Sequence, residues 1–107
     1  MGNRGQVLIK DESIYLYTHW QGSNLINIVR EALSRKQCWD DPEYLARIVF
    51  STMTKGYEDE ETGFGIGSKQ RGDINFLIEL DCTIQQIRIV NILTGKEEFK
   101  TFKEFVK

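Results

Sequence analysis

A chain of 107 residues, 40% hydrophobic and 28% charged with a single proline, is sized for one domain around one core and is too apolar for intrinsic disorder. Its net charge of -2 provides no general attraction to phosphate backbones or anionic lipid, which disfavours nucleic acid and membrane as partners. Two cysteines without CxxC spacing and a single histidine do not make a familiar zinc set, and no cofactor or metal is indicated.

Residues 1–6 lack the apolar run of a signal peptide, and no stretch has the length of a membrane span. Cys38 and Cys82 therefore read as reduced thiols of a cytoplasmic protein, with a disulfide as the lesser alternative. Taken in order, residues 6–10 and 13–19 are rich in β-branched and aromatic side chains, and the polar Asp11-Glu12 between them predicts a β-hairpin. In its second strand Ile14, Leu16 and Thr18 share one face and Tyr15, Tyr17 and His19 the other, so the tyrosine face is either covered or an exposed aromatic surface.

Gln21-Gly22-Ser23 breaks the strand. Ser23 is a plausible N-cap for a helix through about Lys36, with Leu25, Ile26, Val29, Ala32 and Leu33 as its apolar stripe. A second helix starts at Asp41-Pro42, where an N-cap carboxylate precedes a proline suited to the first helical position; Leu45, Ile48, Val49, Thr52 and Met53 form its stripe. Gly56 is a natural stop, and Tyr57-Glu58-Asp59-Glu60-Glu61 reads as a solvated loop without the ligand spacing of a calcium site.

Gly63-Phe64-Gly65-Ile66-Gly67 has the strand period with one bare face, and residues 75–81 and 86–92 alternate as strongly paired antiparallel strands. The tail reads as a strand through Phe99 and a short helix capped by Thr101, with Phe102, Phe105 and Val106 inward. The order β-β-α-α-β-β-β, then α, predicts one α+β domain over 1–107: a mostly antiparallel sheet of about five strands with a helix pair on one face.

Three stretches carry a resemblance: Tyr15-Leu16-Tyr17-Thr18-His19-Trp20, then Trp39-Asp40-Asp41-Pro42-Glu43-Tyr44-Leu45-Ala46-Arg47-Ile48-Val49-Phe50, then Glu61-Thr62-Gly63-Phe64-Gly65-Ile66. Over roughly residues 1–92 the chain resembles a family of small uncharacterised proteins of prokaryotes and their viruses. The resemblance implies no particular activity and transfers no catalytic residue. Cys38 stands where the family pattern has a basic residue, which speaks against a nucleophilic role for that thiol.

Chemistry has few places to sit. His19, at a strand end before a helix start, is a candidate general base or a donor to an anion held by the amides near Ser23, with Asp40 or Asp73 assisting; the plainer reading is a histidine bonded to backbone and packed on Trp20. A magnesium site would need Asp40 to converge with Asp73, Glu79 and Asp81. Arg47, off the apolar stripe, is free for an anion or a surface salt bridge.

The leading functional expectation is a non-enzymatic module for a protein partner, self-association or a small ligand, using Tyr15, Tyr17, Thr18, His19, Trp20, Trp39, Asp40 and Arg47. The alternative is a small hydrolase or nucleotide-binding protein with His19 as acid/base. In both, the Trp39-Asp40 corner is expected to approach Thr18, His19 and Trp20.

Overall fold

Gly5-Gln6-Val7-Leu8-Ile9 is buried at every position, which is unusual for a strand carrying a glutamine and marks it as covered on both faces. This strand, β1 (Gly5–Ile9), lies inside a six-stranded sheet that a computed structural model describes for residues 3–107. Met1 and Gly2, the start of the stretch read as lacking a signal peptide, lie outside the described residues.

The other elements are β2 (Ile14–Thr18), α1 (Leu25–Leu33), α2 (Pro42–Met53), β3 (Phe64–Gly67), β4 (Phe76–Asp81), β5 (Gln86–Asn91), β6 (Lys96–Thr101) and α3 (Phe102–Phe105). The sheet order is β3-β2-β1-β4-β5-β6. All neighbours are antiparallel except β1 and β4, which run parallel with Gly5 opposite Phe76 and Ile9 opposite Leu80. The α+β layout is as expected, but the sheet has six strands and is mixed. Alternation within strands reports which face a residue takes and says nothing of which strand lies beside which, so the parallel pair was invisible.

One face carries the main core. Val7, Ile9, Leu16, Ile78, Leu80 and Ile87 meet Leu25, Ile28, Val29, Leu33, Leu45, Val49 and Met53 from the two packed helices, with Phe102 and Phe105 closing one end. Asp41 caps α2 by accepting from the Tyr44 amide at 3.3 Å, and Pro42 occupies its first turn. Thr101 and Glu104 cap α3 reciprocally in a capping box.

The first helix departs from expectation. A 3-10 turn at Gly22–Asn24 precedes it, it ends at Leu33, and Ile26 faces solvent while Ile28 takes the buried place. Ser23 does not cap it: its amide donates to Asn3 Oδ1 at 2.7 Å, so the Asn3 side chain, 20 residues upstream, already fills the anion position read at those amides.

The opposite face is closed by chain without regular secondary structure. Residues 68–75 must return from the β3 edge across β2 and β1 to start β4, a sideways step of about 14 Å that eight extended residues, reaching about 27 Å, can make. They do so over the tyrosine face. Gln6 Nε2 donates to the Lys69 carbonyl at 3.3 Å and Gln6 Oε1 accepts from the Arg71 amide at 2.9 Å. Ile74 packs with Leu8, Tyr17 and Leu77. The expected open aromatic face is therefore largely covered: Tyr17 is buried and Tyr15 half-buried.

At the far end of β1, Asp11 ties the hairpin to the β4–β5 turn, accepting from the Cys82 amide at 2.7 Å, the Thr83 amide at 3.2 Å and the Thr83 hydroxyl at 2.6 Å. Partial burial raises its carboxyl pKa, but these donors outweigh that and hold it below the ordinary 3.8. With a depressed folded pKa, the stability from Asp11 is complete above the ordinary value and is lost as pH falls through the lower folded one. Asp11→Ala is expected to cost about 1–2 kcal/mol near neutrality, discounted for the residue's exposure. In urea unfolding the gap between variant and parent should close as pH drops below about 4; a gap independent of pH would remove the carboxylate from this role.

Candidate functional site

Thr18 ends β2 at a point set by its partners, Gly5 and Phe64, and the chain then turns sharply. Thr18 is fully buried, and its Oγ1 accepts from the Gln21 amide at 3.2 Å, so this expected binding residue is spent on the turn. Asn3 holds the turn from outside, donating to the Trp20 carbonyl and accepting from the Gly22 amide at 2.8 Å. Gly22 is obligatory there, because a Cβ would stand 2.8 Å from the Asn3 carbonyl oxygen.

His19 is thereby presented half-buried at the rim. Its amide donates to the Gly63 carbonyl at 2.8 Å, continuing the β2–β3 ladder by one bond. Its Nδ1 lies 3.2 Å from the Tyr17 hydroxyl and accepts from Arg4 Nε at 3.3 Å. A guanidinium can only donate, so in this arrangement Nδ1 carries the lone pair and the ring proton sits on Nε2. No hydrogen bond reaches Nε2 among the described residues.

Arg4 in turn pairs with Asp73 at 3.1 Å, and its carbonyl accepts from the Asn75 amide at 2.8 Å. Arg71 lies flat on Tyr17, its guanidinium carbon 4.0 Å from the ring centroid. Asp73 thus reaches His19 only through Arg4, and the set is a Tyr17-His19-Arg4-Asp73 chain without a carboxylate on the imidazole.

Around the corner from His19 stands an aromatic cluster. Trp20 meets His19, Tyr57 and Phe64 with ring centroids 6.1, 6.1 and 5.6 Å apart, and Tyr57 meets Phe64 at 5.8 Å. Trp20 and Tyr57 remain 42% and 44% exposed. Gly63 has a positive φ of 96°, and a Cβ there would fall 2.4 Å from the Trp20 ring, so only glycine lets the indole lie on the backbone.

The two corners expected to meet are at opposite ends of the sheet. Trp39 packs edge-on against Phe102 at 5.6 Å and donates from Nε1 to the Leu33 carbonyl at 3.0 Å, beside the Asp81-Gln86-Thr101 end. Asp40 is exposed at the same end, where its charge acts on Cys82. The interhelix connection had no geometry in the sequence, and its left-handed Lys36 and Cys38 turn Trp39 toward the C-terminal helix. Arg47 is exposed on α2 without an ion pair among the described residues.

Glu79 and Asp81 share Lys10 at 3.8 Å each, and Glu79 also pairs with Arg88 at 3.4 Å, so both carboxylates are engaged by side-chain cations. Among the described residues no three His, Cys, Asp or Glu side chains converge on a point where a metal ion would be held. No helix there is long and apolar enough to cross a membrane.

Arg4, Asn3 and Arg71 were missed by sequence reasoning. Their contacts join residues far apart in the chain, and a lone arginine before a strand has no local signature. Cys82, a free thiol like Cys38, is buried, and burial together with the Asp11 carboxylate pushes its pKa up to about 12, so it is protonated and unreactive at neutral pH. A thiol reagent at pH 8 should therefore titrate only the half-exposed Cys38 in the folded protein and both thiols after unfolding; rapid native labelling of Cys82 would contradict the burial.

Compared with protein-family models, curated proteins and solved structures, the chain matches none.

Proposed function

We propose that the chain is a non-enzymatic protein-binding module whose recognition surface is the Trp20, Tyr57 and Phe64 corner, with His19 and Arg4 as its polar rim. The observation that carries this reading is that two large amphipathic rings, both packed on Phe64, stay 42% and 44% exposed although the turn beneath Trp20 is fixed by Asn3 and Gly63. A rigid frame lowers the entropy cost of presenting such rings, and exposed tryptophan and tyrosine are the side chains that most often dominate binding energy. Mixed charge at the rim favours selectivity: Glu58, Asp59, Glu60 and Glu61 follow Tyr57, while Arg4 and Arg71 flank His19 on the other side. The resemblance to small proteins of prokaryotes and their viruses is compatible with a partner-binding role, as is the expected cytoplasmic setting.

The reading as a small hydrolase or nucleotide-binding protein keeps one contact in its favour, the Tyr17 hydroxyl 3.2 Å from His19. Against it, Arg4 already occupies the same nitrogen, and Asp40, one of the two expected assistants, lies at the other end of the sheet. A base needs an orienting acceptor on its second nitrogen, and among the described residues no hydrogen bond reaches Nε2 while Nδ1 is shared with a cation.

The test compares the native chain with a Trp20→Ser/Tyr57→Ser variant, in sedimentation for self-association and in binding to proteins retained by the immobilised native chain. Association should weaken at least about tenfold, or about 1.4 kcal/mol, with the unfolding midpoint held within about 5 °C. Equal association by the variant would take the corner out of recognition.

A further inference from the structure

A second aromatic position, Trp39, packs one edge on Phe102 and stays half-buried at the mouth of a cleft. At the end of the sheet away from His19, this cleft of about 450 Å³ opens between the end of α1 and α3, lined by Lys36, Trp39, Lys103, Glu104, Val106 and Lys107. Its floor is apolar, the half-buried Trp39 ring and Val106, and the ring is locked from behind by Phe102 and by the Nε1 bond to the Leu33 carbonyl.

Its walls are cationic. The three lysines form no ion pair among the described residues. The one acidic residue, Glu104, is already engaged, because Oε1 accepts from the Thr101 amide in the capping box. Arg30 adds positive charge on the other side of α3, bonded to the Phe105 carbonyl at 3.2 Å and free of a carboxylate partner. In a chain of net charge -2, this is a local cationic site with a flat hydrophobic floor.

We infer that this cleft binds a small aromatic anion, a flat ring that stacks on Trp39 and carries a carboxylate or phosphate held by Lys36 and Lys103. Stacking alone is indifferent to charge, and lysines alone hold an anion only weakly in water; the two together select for molecules that have both features. The site is independent of the Trp20 corner and stands or falls separately from it.

The experiment follows Trp39 directly, using Trp20→Phe so that one indole remains. Adenosine monophosphate and 2-naphthoate are the phosphate and carboxylate probes, with adenosine and inorganic phosphate as the halves of the first. Saturable change of Trp39 fluorescence is expected with at least one of the two aromatic anions, the one that binds identifying the preferred group, and at least tenfold weaker binding of adenosine and of phosphate. Lys36→Glu/Lys103→Glu should weaken the anion at least tenfold. Lys103→Glu places an acid in the first turn of α3, where the dipole favours it, and at left-handed Lys36 glutamate bears the same backbone cost as lysine; an unchanged unfolding midpoint checks that both fold. Lys69→Glu/Lys96→Glu, an equal charge change at exposed residues elsewhere, should leave binding unchanged. The inference is overturned if neither anion gives a saturable response below about 5 mM, the millimolar limit of meaningful affinity. Equal binding of adenosine, or equal loss in both lysine pairs, would overturn it as well.

Discussion

The parallel pairing of β1 with β4 imposes the rest of the arrangement. Antiparallel neighbours need only a short turn, but a parallel neighbour can be reached only by carrying the chain back across the sheet. Between β2 and β3 the chain rises into α1 and α2, which cover one face; between β3 and β4 it has only residues 68–75, and these cross the other face. Gln6 is the anchor of that crossing. The residue is 2% exposed and both polar ends of its side chain are satisfied by Lys69 and Arg71, so the loop is held to the central strand as if by a short piece of ladder.

Covering the tyrosine face moves the accessible chemistry to the ends of the sheet. At one end Asn3, Arg4, Gly63 and residues of the crossing loop fix His19 and Trp20; at the other Asp11 fastens the hairpin to the β4–β5 turn and Trp39 seats on Phe102. The sheet edges are less inviting. Five of the six residues of β6, Lys96-Glu97-Glu98-Phe99-Lys100-Thr101, are polar, which discourages pairing with another strand, and β3 is only Phe64–Gly67.

Much of this was legible locally. The hairpin, both helices of the pair, the capping by Asp41 and Pro42, and the terminal helix started by Thr101 all follow from residues within a few positions of each other, where backbone chemistry is strongest. What failed was long-range. Ser23 has the right side chain for a cap, but it falls inside the 3-10 turn Gly22–Asn24 with its own amide held by Asn3 Oδ1, and Ile26 fits a helical stripe yet faces outward because α1 is rotated to bury Ile28. His19 was found because it is the chain's one histidine; Arg4 and Arg71 are ordinary surface residues until the start of β1 sets Arg4 on His19 and the crossing loop sets Arg71 over Tyr17. The supposed meeting of Trp39 with His19 failed because two left-handed residues in the interhelix connection send the indole the other way.

The crossing loop closes the tyrosine face and sets Arg71 over Tyr17, and amide exchange with nuclear Overhauser contacts in solution measures it most directly. The Arg71 amide, bonded to Gln6 Oε1, is expected to exchange slowly, and the Ile74 methyls to show contacts to Tyr17, Leu8 and Leu77. An Arg71 amide exchanging at the rate of free chain, together with no contact between Ile74 and the Tyr17 ring, would contradict it and return the tyrosine face to the solvent.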